Sequence, residues 1–205
     1  MIVPRAVVFD LGKVLLDFDY GIAARKIASR SQRPPAEIQR LIDQSALLFR
    51  YETGLVTRDQ FYREICGASG FGGSIDEFSG FFADVFVAIE PMVELHEELR
   101  QRRIPTYVFS NTNELAVSHV RRNFPFFSNF DGYIFSYEHG VMKPDERLYE
   151  VVEKESGRRG AEILYLDDRP ENIAAGVARG WQIILHHSPE ESRKTIQRLG
   201  LLGQD

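Results

Sequence analysis

Val7-Val8-Phe9-Asp10-Leu11-Gly12-Lys13-Val14 carries the decisive pattern: the apolar run from Ala6 to Phe9 stops at a carboxylate. The same design recurs further along the chain. Thr106-Tyr107-Val108-Phe109 stops at Ser110-Asn111, and Ile163-Leu164-Tyr165-Leu166 stops at Asp167-Asp168. Each run is rich in β-branched or aromatic residues and lacks polar alternation, the signature of a strand buried on both faces of a parallel sheet. Tyr133-Ile134-Phe135 and Gln182-Ile183-Ile184-Leu185 are further candidate strands. Helical patterns fill the gaps. Pro91 suits a first turn, with Val93, Leu95 and Leu99 as apolar positions ahead of Arg100, Arg102 and Arg103, and the stretch from Pro170 to Arg179 stops at Gly180. Strands alternating with helices predict an α/β fold, a doubly wound, mainly parallel, Rossmann-like sheet. Ligands of such sheets bind beyond the carboxyl ends of the strands. The polar residues that end the runs are therefore where chemistry is expected.

Residues 17–89 break the alternation and contain no convincing strand. Ile38, Leu41, Ile42, Leu48 and Phe49 recur at helical spacing, and Thr57 with Gln60 and Ser74 with Glu77 fit capping boxes. Phe78, Phe81, Phe82, Val85 and Phe86 mark one apolar face, and Gly67, Gly70, Gly72 and Gly73 a loop. The expected organisation is an α/β core of residues 1–16 and 90–205, with an all-helical cap at 17–89 placed over the active edge of the sheet. Ser188 to Asp205 reads as a short final helix and a frayed tail.

Composition narrows the function class. The 205 residues are 43% hydrophobic and 27% charged, with a formal charge of −5, which argues against a nucleic-acid surface. No apolar run approaches the ~18–20 residues of a bilayer span. The single cysteine, Cys66, excludes an internal disulfide framework and fits a reducing compartment. The first residues do not read as a secretory signal, and a cytoplasmic location is expected.

Four positions can carry chemistry. Asp10 can act as nucleophile, metal ligand or turn cap. Asp167 and Asp168, adjacent at a strand end, repel each other unless a cation compensates, and hard oxygen ligands of this kind suit Mg²⁺. A solvated pair capping the Pro170 helix is the plainer reading. Ser110-Asn111-Thr112 offers hydroxyl and N–H donors at a helix start, where phosphate binds readily and where plain capping is equally served. Lys143, before Pro144 in a loop, can neutralise a phosphoryl group and its attacker, although a lone lysine is usually a surface residue.

Taken in order, these motifs resemble the haloacid dehalogenase (HAD) superfamily. Val7 to Val14 resembles its first motif, Val108-Phe109-Ser110-Asn111 its second, Val141-Met142-Lys143-Pro144 its third and Leu166-Asp167-Asp168 its fourth. The match spans nearly the whole chain and includes a C1-type helical cap. Phe9-Asp10-Leu11-Gly12, Ser110-Asn111-Thr112-Asn113 and Asp167-Asp168 with Asn172 further resemble the α-D-glucose-1-phosphate phosphatase group. The resemblance implies a Mg²⁺-dependent phosphatase acting on a small phosphorylated metabolite, as a monomer or homodimer, with neither nucleic acid nor membrane as partner. Asp10 would be the nucleophile that forms an aspartyl-phosphate. Asp10, the Gly12 carbonyl and Asp168 would hold the metal, with Asp167 as ligand or just behind. Ser110 and the Asn111 N–H would bind phosphoryl oxygens, and Lys143 would bridge Asp10 and the phosphate.

Gly12 departs from that family. Its phosphatases usually place a second aspartate there, which protonates the leaving alcohol and then activates water. Glycine keeps the carbonyl and loses the proton carrier, worth ~10²–10⁴-fold. An anomeric phosphate needs less acid help, Asp17 or Asp19 can enter from the cap, or the protein hydrolyses slowly and mainly binds a phosphorylated ligand or a partner. A metal-independent 2-haloacid dehalogenase is a further alternative. Lys13 is unusual too and can add positive charge for a substrate. Arg50, Tyr51 and Glu52 either face the substrate or form a solvated helix end. His186-His187, His96, His119, His139 and Cys66 are expected to be structural.

Overall fold

The computed structural model describes residues 2–203. Its centre is a parallel sheet built from β1 (Ala6–Phe9), β4 (Thr106–Ser110), β5 (Gly132–Phe135), β6 (Ile163–Asp167) and β7 (Gln182–Leu185). The order is β5-β4-β1-β6-β7, with every neighbouring pair parallel. The α/β, doubly wound architecture expected from the apolar runs is therefore present.

The absence of polar alternation in β1 has a direct cause. Val7 and Phe9 point into one core cluster, with Val108, Leu164 and Leu166. Ala6 and Val8 point into the other, with Tyr107, Phe109 and Tyr165. Successive side chains face opposite sides of a strand, and here both sides are dry. On the first face pack α6 (Glu90–Gln101), α7 (Glu114–Asn123) and α11 (Pro189–Arg198), through residues such as Leu95, Leu99, Val117, Val120 and Ile196. On the second lie α9 (Glu146–Ser156) and α10 (Pro170–Ala178), through Leu148, Val152 and Ile173. β1 lies between β4 and β6, where the winding of the chain reverses, so a crevice opens at the carboxyl ends of these three strands.

The segment between β1 and α6 folds as α1 (Tyr20–Ala28), α2 (Pro35–Ile42), α3 (Ala46–Glu52), α4 (Arg58–Ser69) and α5 (Ile75–Ala83). It has its own core, in which Ile27, Ile38, Ile42, Phe61, Ile65 and Phe78 are completely buried. Each such side chain contributes about 1.5–3 kcal/mol of transfer free energy. Leu115 of α7 joins this cluster, which seats the helical insert against the first turn of a helix belonging to the sheet. Thr57 and Gln60 close a full capping box at α4. At α5 Ser74 accepts the Glu77 N–H at 3.2 Å, but the Glu77 carboxylate turns away to pair with Arg30 at 2.7 Å.

One expectation is corrected. The insert is flanked by a two-stranded antiparallel ribbon, β2 (Leu16–Phe18) with β3 (Phe86–Ala88), paired Leu16 to Ala88 and Phe18 to Phe86. Three residues are too few to show a period; Val85 and Phe86, expected on one helix face with Phe78, Phe81 and Phe82, lie beyond α5, which ends at Ala83. The final helix is α11; residues 204–205 of the anticipated tail lie outside the described residues.

Candidate active site

Asp10, Ser110 and Asp167 stand at the ends of three neighbouring strands because the register aligns them. Phe9 is level with Val108 of β4 and with Leu166 of β6. The Asp10 N–H donates to the Leu166 carbonyl at 2.9 Å, so β1 pairing runs up to the carboxylate itself. Asp10 Oδ1 accepts the N–H of Leu11 at 2.7 Å, which fixes the rotamer at the start of the turn. That turn is closed by Lys13 N–H to the Leu16 carbonyl at 2.7 Å and Leu16 N–H to the Leu11 carbonyl at 2.8 Å. These two bonds use neither the N–H nor the carbonyl of Gly12.

Lys143 reaches the same place from the loop between α8 (Ser136–His139) and α9. Its Nζ lies 3.0 Å from Asp10 Oδ1 and 2.7 Å from Asp167 Oδ2, and donates to the Phe109 carbonyl at 2.9 Å. The ammonium also stands 5.0 Å from the Phe109 ring centre and 5.8 Å from that of Tyr165. The loop is held by Asn111: its amide nitrogen donates to the Lys143 carbonyl at 3.0 Å, while its oxygen accepts the Lys143 N–H at 2.7 Å. The Asn111 side chain thus positions Lys143. Ser110 is almost fully buried and its hydroxyl donates to the Asn111 carbonyl at 3.3 Å.

The two adjacent aspartates differ sharply. Asp167 is completely buried and saturated with donors. It accepts from Lys143, from the Tyr165 hydroxyl, from the Arg169 N–H at 2.8 Å and from the Asn172 amide at 3.0 and 3.1 Å. Burial opposes its ionisation, yet Lys143 and the hydrogen bonds outweigh burial and hold its pKa below the usual carboxylate range. Asp168 is half-buried, and burial together with the Asp167 charge pushes its pKa up. Asp10 is pushed up to about 7, by burial first and then by Asp167 and Asp168, with Lys143 opposing. Lys143 itself is raised: burial would lower it, and the two carboxylates win.

Oxygens of Asp10, Asp167 and Asp168 all lie within 4.8 Å of one another. Three carboxylates against one ammonium leave an excess of negative charge, and with burial this pushes the Asp10 pKa up. A small divalent cation with oxygen ligands relieves that excess. The donor set therefore fits Mg²⁺, and Asp10 and Asp168 have the freer oxygens to offer. An open cleft of about 580 Å³, lined in part by Lys13, Asp17, Asp168 and His187, reaches the cluster from the side.

The remaining sequence candidates separate. Lys13, at a left-handed φ of 59°, is bound to the Asp17 carboxylate, to the Phe18 carbonyl at 2.9 Å and over the Phe18 ring at 4.6 Å, so its charge is spent on the ribbon. Asp19 caps α1 through the Gly21 N–H at 2.7 Å. Arg50 pairs with Glu64 at 3.0 Å, and Tyr51 stacks on Phe61 with centroids 4.5 Å apart. Glu52, in contrast, is half-buried and lacks an ion-pair partner among the described residues. His96 is buried against Phe130 at 3.8 Å and Thr106 at 3.1 Å, and His186 binds Ser192 at 2.8 Å. Sequence reasoning passed over Ser136, whose hydroxyl joins the insert to the site. No feature of Phe135-Ser136-Tyr137 marks it. Asn113 stood in the quoted motif without a role; its side chain caps α7 through the Ala116 N–H at 3.0 Å.

A haloacid dehalogenase-like hydrolase family model matches residues 4–180. The sesquiterpene phosphatase AstK of Aspergillus oryzae is 26% identical over 179 residues, covering 86% of each chain. The D-ribitol-5-phosphate phosphatase of Bacteroides thetaiotaomicron is 23% identical over 209 residues, covering 97% of this chain and 98% of its own. Among solved structures, a HAD family enzyme from Bacteroides thetaiotaomicron in complex with magnesium and inorganic phosphate is similar with a TM-score of 0.76. It is 22% identical, over 90% of this chain and 94% of that one. With the family model spanning β1, β4, β5 and β6 of the sheet, the insert and the aspartate pair, this chain belongs to the haloacid dehalogenase-like hydrolases.

Proposed function

We propose that the protein is a Mg²⁺-dependent phosphatase that hydrolyses a small phosphomonoester through an aspartyl-phosphate on Asp10. One observation carries the reading: the Asp10 carboxylate is held 3.0 Å from a buried ammonium, inside a cluster of three carboxylates. A phosphate dianion meets a carboxylate only where their repulsion is cancelled. Lys143 bridges the attacking oxygen and the phosphoryl group. Asp10, Asp168 and the Gly12 carbonyl hold the metal, which supplies the remaining positive charge when bound. Asp167 positions Lys143 and the loop of Asp168. Ser110 and the Asn111 N–H receive phosphoryl oxygens, and residues 17–89 act as a cap that selects the leaving group.

The relatives support a small organic phosphate. One is named for a sesquiterpene phosphate and one for a polyol phosphate. A sugar phosphate such as glucose 1-phosphate stays within this class, and the cap decides among them. Gly12 favours a second reading, a weakly catalytic protein that binds a phosphorylated ligand. A panel of phosphorylated metabolites with p-nitrophenyl phosphate separates the two. Phosphate release that needs Mg²⁺, stops with EDTA and is lost in Asp10→Asn is the expected result. Ligand binding without release supports the second reading, and release of halide from a 2-haloacid unaffected by EDTA would indicate a dehalogenase.

A further inference from the structure

The chemistry proposed above needs a group that protonates the leaving alcohol, and position 12 has none. The two acids near the start of the insert are committed elsewhere. Asp17 takes the Lys13 ammonium and the Phe18 N–H at 2.8 Å, and Lys13 holds its carboxyl below the usual range, which makes it a poor proton donor. Asp19 is occupied as the cap of α1.

Glu52 is placed differently. It is the last residue of α3, and its carbonyl accepts the Ser136 hydroxyl at 2.6 Å. The same Ser136 oxygen accepts the Thr112 N–H at 2.9 Å. Glu52 is thereby tied, through one side chain, to the loop that continues from Ser110 and Asn111. Its half-buried side chain has no ion-pair partner among the described residues. Asn113, a completely buried amide, sits beside it and acts on the carboxyl. Charged or titratable groups from four elements act electrostatically on the carboxyl: Tyr20 of α1, Asp43 after α2, Asp10 after β1 and Arg169 ahead of α10.

We propose that Glu52, delivered by the helical insert, is the proton carrier of this active site in place of the acid absent at Gly12. The proposal rests on the phosphatase reading. In the first step an Asp10 oxygen bonds to phosphorus, the bond from phosphorus to the ester oxygen breaks, and that oxygen takes the Glu52 proton and leaves as the alcohol. In the second, the Glu52 carboxylate takes a proton from water. The hydroxide bonds to phosphorus, the bond to Asp10 breaks, and inorganic phosphate leaves with Glu52 protonated again. Burial pushes Glu52 up to about 8, with Asp43 and Asp10 adding and Arg169 and the Asn113 amide offsetting. The acid is therefore charged with its proton at neutral pH, and its conjugate base is strong enough for the return step.

The test compares wild type, Glu52→Gln and Glu52→Asp on kcat/KM, which reports steps up to the aspartyl-phosphate. The substrates are ribitol 5-phosphate, with a poor leaving group, and 2,4-dinitrophenyl phosphate, which needs no proton. Glu52→Gln is expected to lose ~10²–10⁴-fold on the alkyl ester, to change little on the aryl ester, and to lose the basic limb of the alkyl pH profile. Glu52→Asp is expected to recover part of the rate. Carboxyl ¹³C NMR of the metal-free protein is expected to show one glutamate titrating near 8 that is missing in Glu52→Gln. An ordinary titration of Glu52 near 4.5 overturns the proposal whatever the activity. Equal losses on both esters, or no loss, overturn it while the phosphatase reading stands. If wild type releases no phosphate from any ester, that reading and the proposal fall together.

Discussion

At Gly12 the absence of a side chain is filled space rather than a gap. A Cβ built there would come within 2.9 Å of the Phe18 ring edge, closer than side chains approach. Phe18 is held in place by Tyr20 and Phe86 at centroid distances of 5.6 and 6.1 Å. Restoring an acid at this position is therefore expected to fail as a simple swap. Gly12→Asp forces the ring to move and costs about 1–3 kcal/mol of stability, the usual penalty of overpacking. In a Phe18→Ala background, where the ring is gone, the same Gly12→Asp change costs less. Urea midpoints measure both, and an unchanged midpoint in the single variant would show that the ring yields freely. The sequence displayed the glycine and the missing acid. It could not display Phe18, because a contact between a turn and a ribbon depends on a register that three residues do not encode. Asp10, Lys143 and the aspartate pair were readable as candidates because each closes a strand or belongs to an ordered motif. Glu52 was not readable beyond a choice of two faces, since a single acid at a helix end has no period.

Between elements, the decisive joint is Ser136. Its oxygen accepts the Thr112 N–H, and its single proton is donated to the Glu52 carbonyl at 2.6 Å, with the Thr112 carbonyl a second acceptor in reach at 3.1 Å. Leu115 adds an apolar contact to the insert from α7, three residues after Thr112. The five strands of the parallel sheet and most helices were legible because their burial is periodic or complete. This joint was not, because hydrogen bonds from one serine to two distant main-chain segments leave no trace in hydropathy. Ser136→Ala leaves the buried Thr112 N–H without its partner, which costs about 1–3 kcal/mol. It is also expected to raise KM more than Asp10 reactivity falls, by loosening the placement of α3. Thermal denaturation and a KM-against-kcat comparison check this. A variant as stable as wild type, with unchanged KM, would show that the joint is not required.

For the molecule as a whole, the site imposes a pH dependence of stability. The Asp10 pKa rises from 3.8 to about 7 on folding. Between those values the folded protein keeps a proton that the unfolded chain has lost, so stability contributed by Asp10 is present at low pH and declines as pH rises towards 7. Glu52, raised from 4.5 to about 8, extends the decline in the same direction. The metal-free protein is expected to lose stability across this window, and Asp10→Asn to flatten the loss. Mg²⁺ reverses it by binding the ionised carboxylate: at one hundred times its Kd a cation adds about 2.7 kcal/mol. Melting curves with EDTA and with Mg²⁺ from pH 5 to 8 read both effects. A metal-free melting temperature that climbs through this range, in wild type and Asp10→Asn alike, would contradict the charge balance assigned to the cluster.

The central claim is that Asp10 attacks phosphorus once cations have cancelled the repulsion. Acid quenching during turnover of p-nitrophenyl phosphate, followed by mass spectrometry of the peptides, tests it most directly. The account predicts a phosphoryl group on the peptide carrying Asp10, present with Mg²⁺ and absent both with EDTA and in Asp10→Asn. Turnover that leaves that peptide unmodified at every quench time, or a phosphoryl group carried on another residue, would contradict it.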